Sequence, residues 1–276
     1  MEERTYDDSK VTTSLDKIEH KILVLSGKGG VGKSTVTTNI AVSLSKKGYD
    51  VGILDSDMHG PSIPKMLGIE NQNITSNENK FEPIYFTRNL KVMSMGFLLQ
   101  NNDDPVIWRG PMKMTAIKQL IGDVNWGNLN FLIVDLPPGT GDEPLSMIQL
   151  IPDCDGAIIV TTPQDVALVS VRKSINFVKK MNIPIIGIIE NMSGFNCPHC
   201  GTSINIFGSG GGEKAAHDFN IPFLGKVPLN VQIAERGDSG IPFVDTIEDL
   251  DLKSEFESIV HNVENTLLSK MVKKVK

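Results

Sequence analysis

The chain has few cysteines, no excess of basic residues and no long apolar run, and each absence excludes a class of protein. It has 276 residues and three cysteines, too few for the disulfide framework of a small secreted domain. Lys and Arg number 27 against 33 Asp and Glu, a formal net charge of −6, so a nucleic-acid partner held by a general basic surface is not expected. No apolar run approaches the roughly 18 residues of a membrane-spanning helix, and we expect no membrane partner.

The beginning of the chain is polar and charged over residues 1–20. It lacks the apolar stretch of a secretory signal, so we expect a soluble, cytoplasmic protein, and we predict that residues 1–20 form a flexible segment. The hydrophobic fraction is 40%, which is enough for a large core. Because no linker divides the remainder, residues 21–276 are predicted to form a single domain, which includes the cysteine pair in segment 196–201.

Short apolar blocks without alternation indicate buried parallel strands. The five clear blocks are residues 22–25, 51–54, 131–134, 157–160 and 185–189, and weaker ones are 91–95 and 226–227. Residues 34–47 carry apolar side chains at four-residue spacing and end before a glycine, which predicts a helix; a second long helix is predicted near 252–272. Alternating strands and helices indicate an α/β fold with a mostly parallel central sheet and helices on both faces.

A glycine-rich loop directly follows the first predicted strand. It fits the pattern G-x-x-x-x-G-K-[ST] and has the strand before it and the helix after it that this motif requires. Its nucleotide-binding residues are predicted to be Gly27, Lys28, Gly29, Gly30, Val31, Gly32, Lys33, Ser34 and Thr35. Backbone N–H groups of such a loop point at phosphate oxygens, and we expect Lys33 to reach the β and γ phosphates and the Ser34 hydroxyl to bind Mg²⁺.

Three aspartates follow predicted strands at the same edge of the sheet. Asp135 comes directly after a strand, where a carboxylate can hold Mg²⁺ directly or through water. Asp55 and Asp57 follow another strand; we assign Asp55 to Mg²⁺ and Asp57 to the orientation or deprotonation of the attacking water. The alternative for Asp57 is an N-cap for a helix that begins near Pro61, and the alternative for Asp135 is a cap of the next turn. The segment 135–142 is typical of a switch, with the Gly139 amide as a sensor of the γ-phosphate.

Cys197 and Cys200 have the spacing at which two thiolates hold one metal. Structural zinc and iron–sulfur centres usually take four ligands, and the sequence contains no second pair of this kind. Three interpretations remain open at this point: a redox dithiol, a zinc knuckle completed by His199, and a centre shared by the pairs of two subunits across a two-fold axis. Cys154 is expected to be a small buried residue.

Lys28 marks a variant phosphate loop, K-G-G-x-G-K-[ST], that resembles the loop of dimeric ATPases related to MinD, ParA and the nitrogenase iron protein. The resemblance implies that Lys28 reaches the nucleotide of a partner subunit and stabilises charge on the transferring phosphoryl group, so that hydrolysis depends on dimerisation. It also implies that Asp57 is the switch I aspartate, that Asn191 reads adenine and that Pro228 forms a wall of the base site.

A wider set of segments resembles the Mrp/ApbC family of iron–sulfur cluster carriers. With the variant loop, the set comprises residues 55–62, 108–112, 135–142 and 191–193, followed by Cys-x-x-Cys at 197–200. The resemblance implies a homodimer with ATP and Mg²⁺ as cofactors, in which Cys197 and Cys200 hold a labile, bridging [4Fe–4S] cluster that is donated to apo iron–sulfur proteins. Arg109, within the second segment, is expected to contact nucleotide or partner, or to lie on the surface.

The leading hypothesis is therefore a slow, homodimeric Mg²⁺-ATPase that carries an iron–sulfur cluster to recipient proteins. Two alternatives stay open: a MinD/ParA-like positioning ATPase, and an ATPase with a structural zinc at the cysteine pair. The glycine run at 208–212 is expected to be a flexible connector, with an anion-binding nest as the alternative.

Overall fold

Strands and helices alternate along most of the chain. A computed structural model describes residues 6–7, 9–77, 80–98, 110–197, 199–246 and 249–274, with the backbone alone for 111 and 268–274. Trp108 and Arg109, in one of the segments that carry the family resemblance, lie outside the described residues.

The elements are numbered in chain order. The strands are β1 Ile18–Leu25, β2 Val51–Asp55, β3 Thr75–Asn77, β4 Lys80–Glu82, β5 Ile84–Thr87, β6 Leu90–Ser94, β7 Leu129–Asp135, β8 Gly156–Thr161, β9 Ile185–Asn196, β10 Ser203–Ile204 and β11 Phe223–Leu229. The helices are α1 Ser9–Leu15, α2 Lys33–Lys46, α3 Ile63–Met66, α4 Gly110–Gly122, α5 Asp142–Leu150, α6 Asp165–Lys180, α7 Gly211–Phe219, α8 Val231–Asp238, α9 Phe243–Thr246 and α10 Leu250–Lys274.

One large sheet organises the described part of the chain. Its strands follow the order β10-β9-β8-β1-β7-β2-β6-β5, and β11 pairs with β9. In this order, each neighbouring pair between β9 and β6 is parallel, and the β9–β11 pair is parallel too. The end strands are antiparallel to their neighbours: β10 to β9 and β5 to β6. Because the central strands are parallel, the carboxyl ends of β1, β2, β7 and β9 meet at one edge, where α/β sheets bind their ligands.

Helices cover both faces of this sheet. Ile22 of β1 belongs to the apolar cluster that contains α2 and α10, while its neighbour Leu23 belongs to the cluster of α4 and α6. Both side chains are completely buried, which explains why the strand shows no alternation of apolar and polar residues. The predicted α/β fold with a mostly parallel sheet is confirmed.

Part of the predicted flexible segment is ordered. Helix α1 lies within it, and β1 begins before its end. Val11 and Leu15, one helical turn apart, are buried in the cluster that includes α4. These two side chains give the segment an apolar face, so the ordered region starts before residue 21, and residues 1–5 lie outside the described part.

Among the described helices, none carries an apolar stretch long enough to span a bilayer.

Candidate functional site

The glycine-rich loop joins β1 to α2 at the carboxyl edge of the sheet. Gly30 and Gly32 have φ angles of 80° and 78°, a left-handed backbone that glycine adopts without steric cost. A Cβ on Gly32 would also lie 2.1 Å from the side-chain nitrogen of Asn191. Both the path of the loop and its packing therefore require glycine here, and the predicted strand–loop–helix context is present.

The first turn of α2 is bonded to the end of β7 through Asp135. This carboxylate is completely buried; its Oδ2 accepts hydrogen bonds from Lys33 Nζ at 2.5 Å and Ser34 Oγ at 2.6 Å, and its Oδ1 accepts one from Thr37 Oγ1 at 2.6 Å. Asp135 is the last residue of β7 and not, as predicted, a loop residue. The structure thus brings together Lys33, Ser34 and Asp135, and adds Thr37, which the sequence analysis missed.

Asp55 ends the neighbouring strand β2, opposite Asp135 in the register of the sheet. It is completely buried, and its Oδ2 accepts hydrogen bonds from Ser94 Oγ at 2.9 Å and the Ile63 amide at 3.3 Å. Burial, together with the negative charge of Asp135, raises the pKa of Asp55 to about 7, against the opposing effect of Lys33. Two adjacent carboxylates, of which one is bonded to a single ammonium group, form an electrostatic setting that favours a divalent cation.

Asp57 is half-buried and lies in the loop after β2. Its Oδ1 accepts hydrogen bonds from the amides of His59 at 3.1 Å and Gly60 at 3.3 Å. The carboxylate therefore caps a local turn in this structure. It is not the N-cap of the helix near Pro61, which was the predicted alternative, because Ser62 occupies the N-cap position of α3.

The segment after β7 contacts both the glycine-rich loop and the Asp57 loop. The Gly139 amide, predicted to sense a γ-phosphate, donates to the Ser26 carbonyl at 2.8 Å. Glu143, in the first turn of α5, accepts a hydrogen bond from Lys113 at 2.5 Å and lies 3.2 Å from His59 Nε2. Partial burial raises the pKa of Glu143, but these two partners outweigh it and leave the pKa below its usual value.

A cavity of about 280 Å³ adjoins the first turn of α2. Three of the predicted nucleotide-binding residues line it together, namely Thr35, Asn191 and Pro228. Asn191 Nδ2 donates to the Val31 carbonyl at 2.9 Å, so its side chain is attached to the glycine-rich loop. The sequence alone gave no basis for this contact, because it depends on how far β9 extends.

The cysteine pair follows the end of β9 in a tight turn. The Gly201 amide donates to the Cys197 carbonyl at 2.9 Å, and the Cys197 amide donates to the Thr202 carbonyl at 3.0 Å. Cys200 is exposed, and its Sγ lies 3.2 Å from Thr202 Oγ1; this hydroxyl, with the Thr202 amide, lowers the pKa of the Cys200 thiol. His199 is exposed in the same turn.

In the part of the chain that the structure describes, no three His, Cys, Asp or Glu side chains are grouped to hold a metal. The cysteine pair thus offers two thiol ligands and no complete four-ligand centre within the described residues. Cys154 lies apart from it, with its Sγ 3.4 Å from the Ile151 carbonyl, and is half-buried where a buried residue was expected. Burial raises the pKa of Cys154 to about 12, as expected for a structural thiol.

The glycine run is bonded to a carboxylate that the sequence analysis did not single out. The amides of Gly210 and Gly212 donate to Glu190 at 2.8 and 2.5 Å, and α7 begins at Gly211. The run therefore differs from the predicted flexible connector: its amides do surround an anion, as in the alternative, but that anion is a side chain of β9.

The loop between β1 and α2, and the position of β1 between β7 and β8, define the class of protein: an α/β P-loop NTPase. Within this class the chain belongs to the ParA family in its form described as "NUBPL iron-transfer P-loop NTPase", whose family model matches residues 17–264.

Individual relatives agree with this family. The chain is 53% identical over 256 residues to an "Iron-sulfur cluster carrier protein" of Methanocaldococcus jannaschii, covering 93% of this chain and 88% of that one. It is 50% identical over 252 residues to a "Cytosolic Fe-S cluster assembly factor NUBP2 homolog" of Dictyostelium discoideum, covering 90% and 95%. Among solved structures, a nucleotide-binding protein from Archaeoglobus fulgidus in complex with ADP has a TM-score of 0.76 and 39% identity, covering 86% and 93%.

Proposed function

We propose that this protein is a magnesium-dependent ATPase that carries an iron–sulfur cluster between the subunits of a homodimer and transfers it to apo iron–sulfur proteins. The observation that carries the proposal is the course of β9, since one strand lines the cavity beside the phosphate loop with Asn191 and ends directly before Cys197. The printed names of the relatives in Methanocaldococcus jannaschii and Dictyostelium discoideum supply the class of cargo.

In the nucleotide site, the loop amides and Lys33 bind the β and γ phosphates of ATP. Lys33 then exchanges its bond to Asp135 for bonds to phosphate oxygens, while Ser34, Asp55 and Asp135 hold Mg²⁺ directly or through water. Asp57 orients the attacking water, which requires its carboxylate to leave the turn that it now caps. Asn191 and Pro228 contact the adenine base.

Dimerisation places Lys28 of each subunit at the nucleotide of the other, where its ammonium group stabilises charge on the transferring phosphoryl group. The exposed position of Lys28 supports this role. Helix α6 lies beside the same loop, because Ser170 packs against Gly27. On the same helix, Val166 and Val169 are 70% and 60% exposed, which leaves apolar area for a partner subunit to bury.

The two cysteine pairs of the dimer hold the cluster as cargo. The hydrogen bonds from Thr202 that lower the thiol pKa of Cys200 favour the thiolate form that binds iron, and the exposure of Cys200 allows a recipient protein to approach. With two thiols in each cysteine pair and four thiolates required for a [4Fe–4S] cluster, the proposal needs both subunits. By analogy with its cytosolic relative in Dictyostelium, we place this exchange in the cytoplasm.

Anaerobic transfer to an apo-ferredoxin tests the function. Wild-type protein reconstituted with iron and sulfide should restore the visible absorption of the acceptor, and the double variant Cys197→Ala, Cys200→Ala should restore none. Cys154→Ala is the matched control and should transfer normally, because Cys154 is half-buried beside Ile151, away from the pair. Equal transfer by the double variant, or stoichiometric zinc without iron in the reconstituted wild type, would refute the carrier function.

A further inference from the structure

The cysteine pair lies in a hairpin whose two ends meet at the carboxylate of Glu190. From the outgoing end, on β9, Ser193 Oγ donates to Glu190 Oε1 at 2.5 Å. From the returning end, the amides of Gly210 and Gly212 donate to its two oxygens at 2.8 and 2.5 Å. Glu190 is completely buried, and one side chain therefore holds both ends of the hairpin.

Further hydrogen bonds close the same base. Ser193 Oγ lies 3.0 Å from Ser209 Oγ, and the Gly194 amide donates to the Gly208 carbonyl at 3.3 Å. Hydrogen bonds to a buried carboxylate are stronger than those between neutral groups. We therefore expect both ends of the hairpin to follow Glu190 when β9 moves.

The residue after Glu190 belongs to the nucleotide site. Successive residues of a strand face opposite sides of the sheet, and Asn191 accordingly donates to the Val31 carbonyl in the glycine-rich loop. The next residue, Met192, has a φ of 57°, a left-handed conformation that is uncommon for a side chain of this kind. The strand thus bends immediately after the two residues that connect it to the loop and to the hairpin.

We propose that Glu190 is a positioning residue that couples nucleotide binding to the two cysteines. A nucleotide that contacts Asn191 shifts β9 at this point, and Glu190 transmits the shift to both ends of the hairpin, which changes the placement and accessibility of Cys197 and Cys200. The inference rests on the proposed function in one respect, since it takes the cavity at Asn191 as the base site.

The test uses metal-free protein, so that its outcome does not depend on cluster loading. In a Cys154→Ala background, the rate at which Cys197 and Cys200 react with Ellman's reagent is measured with and without ATP and Mg²⁺, and ATP affinity is measured in parallel. In the parent, the nucleotide should change the rate by about fivefold or more. Glu190→Gln, which keeps the shape but replaces an acceptor oxygen by a donor nitrogen, should abolish the change while ATP affinity stays within about twofold.

Glu213→Gln is the matched control, because Glu213 is an exposed glutamate in the first turn of α7. In this variant, ATP and Mg²⁺ should change the thiol reaction rate as they do in the parent. Should Glu190→Gln fail to fold, Ser193→Ala removes one of the three donors and should weaken the response. An unresponsive parent, or a full response in Glu190→Gln or in the Ser193→Ala substitute, overturns the coupling. Iron and sulfide content after reconstitution of the parent tests the carrier function separately, since a cluster-free protein with intact coupling would refute that function alone.

Discussion

Two buried carboxylates lie side by side at the carboxyl edge of the sheet, and this arrangement raises the pKa of Asp55. Asp55 and Asp135 are paired in register on β2 and β7, and Lys33 is bonded to Asp135. The pKa of Asp55 rises from 3.8 to about 7 because the carboxyl is desolvated and faces the charge of Asp135. The folded protein therefore holds this proton more tightly than the unfolded chain does.

Asp55→Asn should make the protein more resistant to unfolding at alkaline pH in the absence of Mg²⁺. Since the unfolded chain loses the Asp55 proton at lower pH, wild-type stability should fall as the pH rises from about 4 to about 7, by up to roughly 4 kcal/mol. The variant lacks this charge and should not show that component. Urea unfolding at pH 5 and pH 8 measures the difference.

The exposed Asp16→Asn is the control for that comparison, and its unfolding should parallel the wild type at both pH values. Added Mg²⁺ should stabilise wild-type protein at pH 8 more than Asp55→Asn. If the free energy of unfolding of Asp55→Asn changed with pH as that of the wild type does between pH 5 and pH 8, the ionisation of buried Asp55 would not destabilise the fold.

Lys28→Ala should separate nucleotide binding from turnover. If the ammonium group acts on the nucleotide of the partner subunit, ATP hydrolysis should fall by about two orders of magnitude or more, while ATP affinity stays within about threefold because the subunit's own phosphate contacts remain. Steady-state phosphate release and equilibrium ATP binding measure the two quantities. Lys17→Ala, at another exposed lysine, is the control; unchanged turnover in Lys28→Ala would remove the trans role.

Residue types with a fixed spacing were predictable, and partners distant in sequence were not. The loop motif located Lys33 and Ser34, and strand ends located Asp55 and Asp135 at the correct edge. The buried role of Glu190 could not be predicted, because its donors lie in a glycine run some twenty residues further on and no local pattern links them.

At the scale of elements, apolar blocks predicted the central strands of the sheet, and helical patterns predicted α2 and α10. The other helices, α1 among them, were not predicted. Helix α1 has an apolar face of only two side chains, Val11 and Leu15, in an otherwise polar segment. Its stability comes from packing in the cluster of α4 and not from a strong local signal. The antiparallel strand β10 was missed for a related reason, since two exposed residues carry no pattern.

Leu15→Ala should destabilise the whole domain and not only its beginning. Leu15 is 1% exposed, and truncating a buried leucine typically costs about 2–5 kcal/mol. Thr12→Ala, on the exposed side of the same helix, should change the free energy of unfolding by less than about 0.5 kcal/mol. Chemical denaturation of the two variants gives the comparison; equal stabilities would mean that α1 is detached from the core in solution.

At the scale of the molecule, one strand connects the glycine-rich loop with the cysteine pair. β9 carries the carboxylate and the amide that contact the hairpin and the glycine-rich loop, and it leads into the cysteine turn. The described part of one chain supplies a complete strand–loop–helix unit for phosphate but only two thiols for metal. The central claim is therefore that the functional unit is a dimer in which the cluster is shared.

Native mass spectrometry of anaerobically reconstituted wild-type protein tests that claim most directly. We predict that a mass of about four irons and four sulfides accompanies the dimer alone, and that the double variant Cys197→Ala, Cys200→Ala carries none. A cluster of that mass on the monomer, or a dimer that binds zinc in place of iron and sulfide, would contradict it.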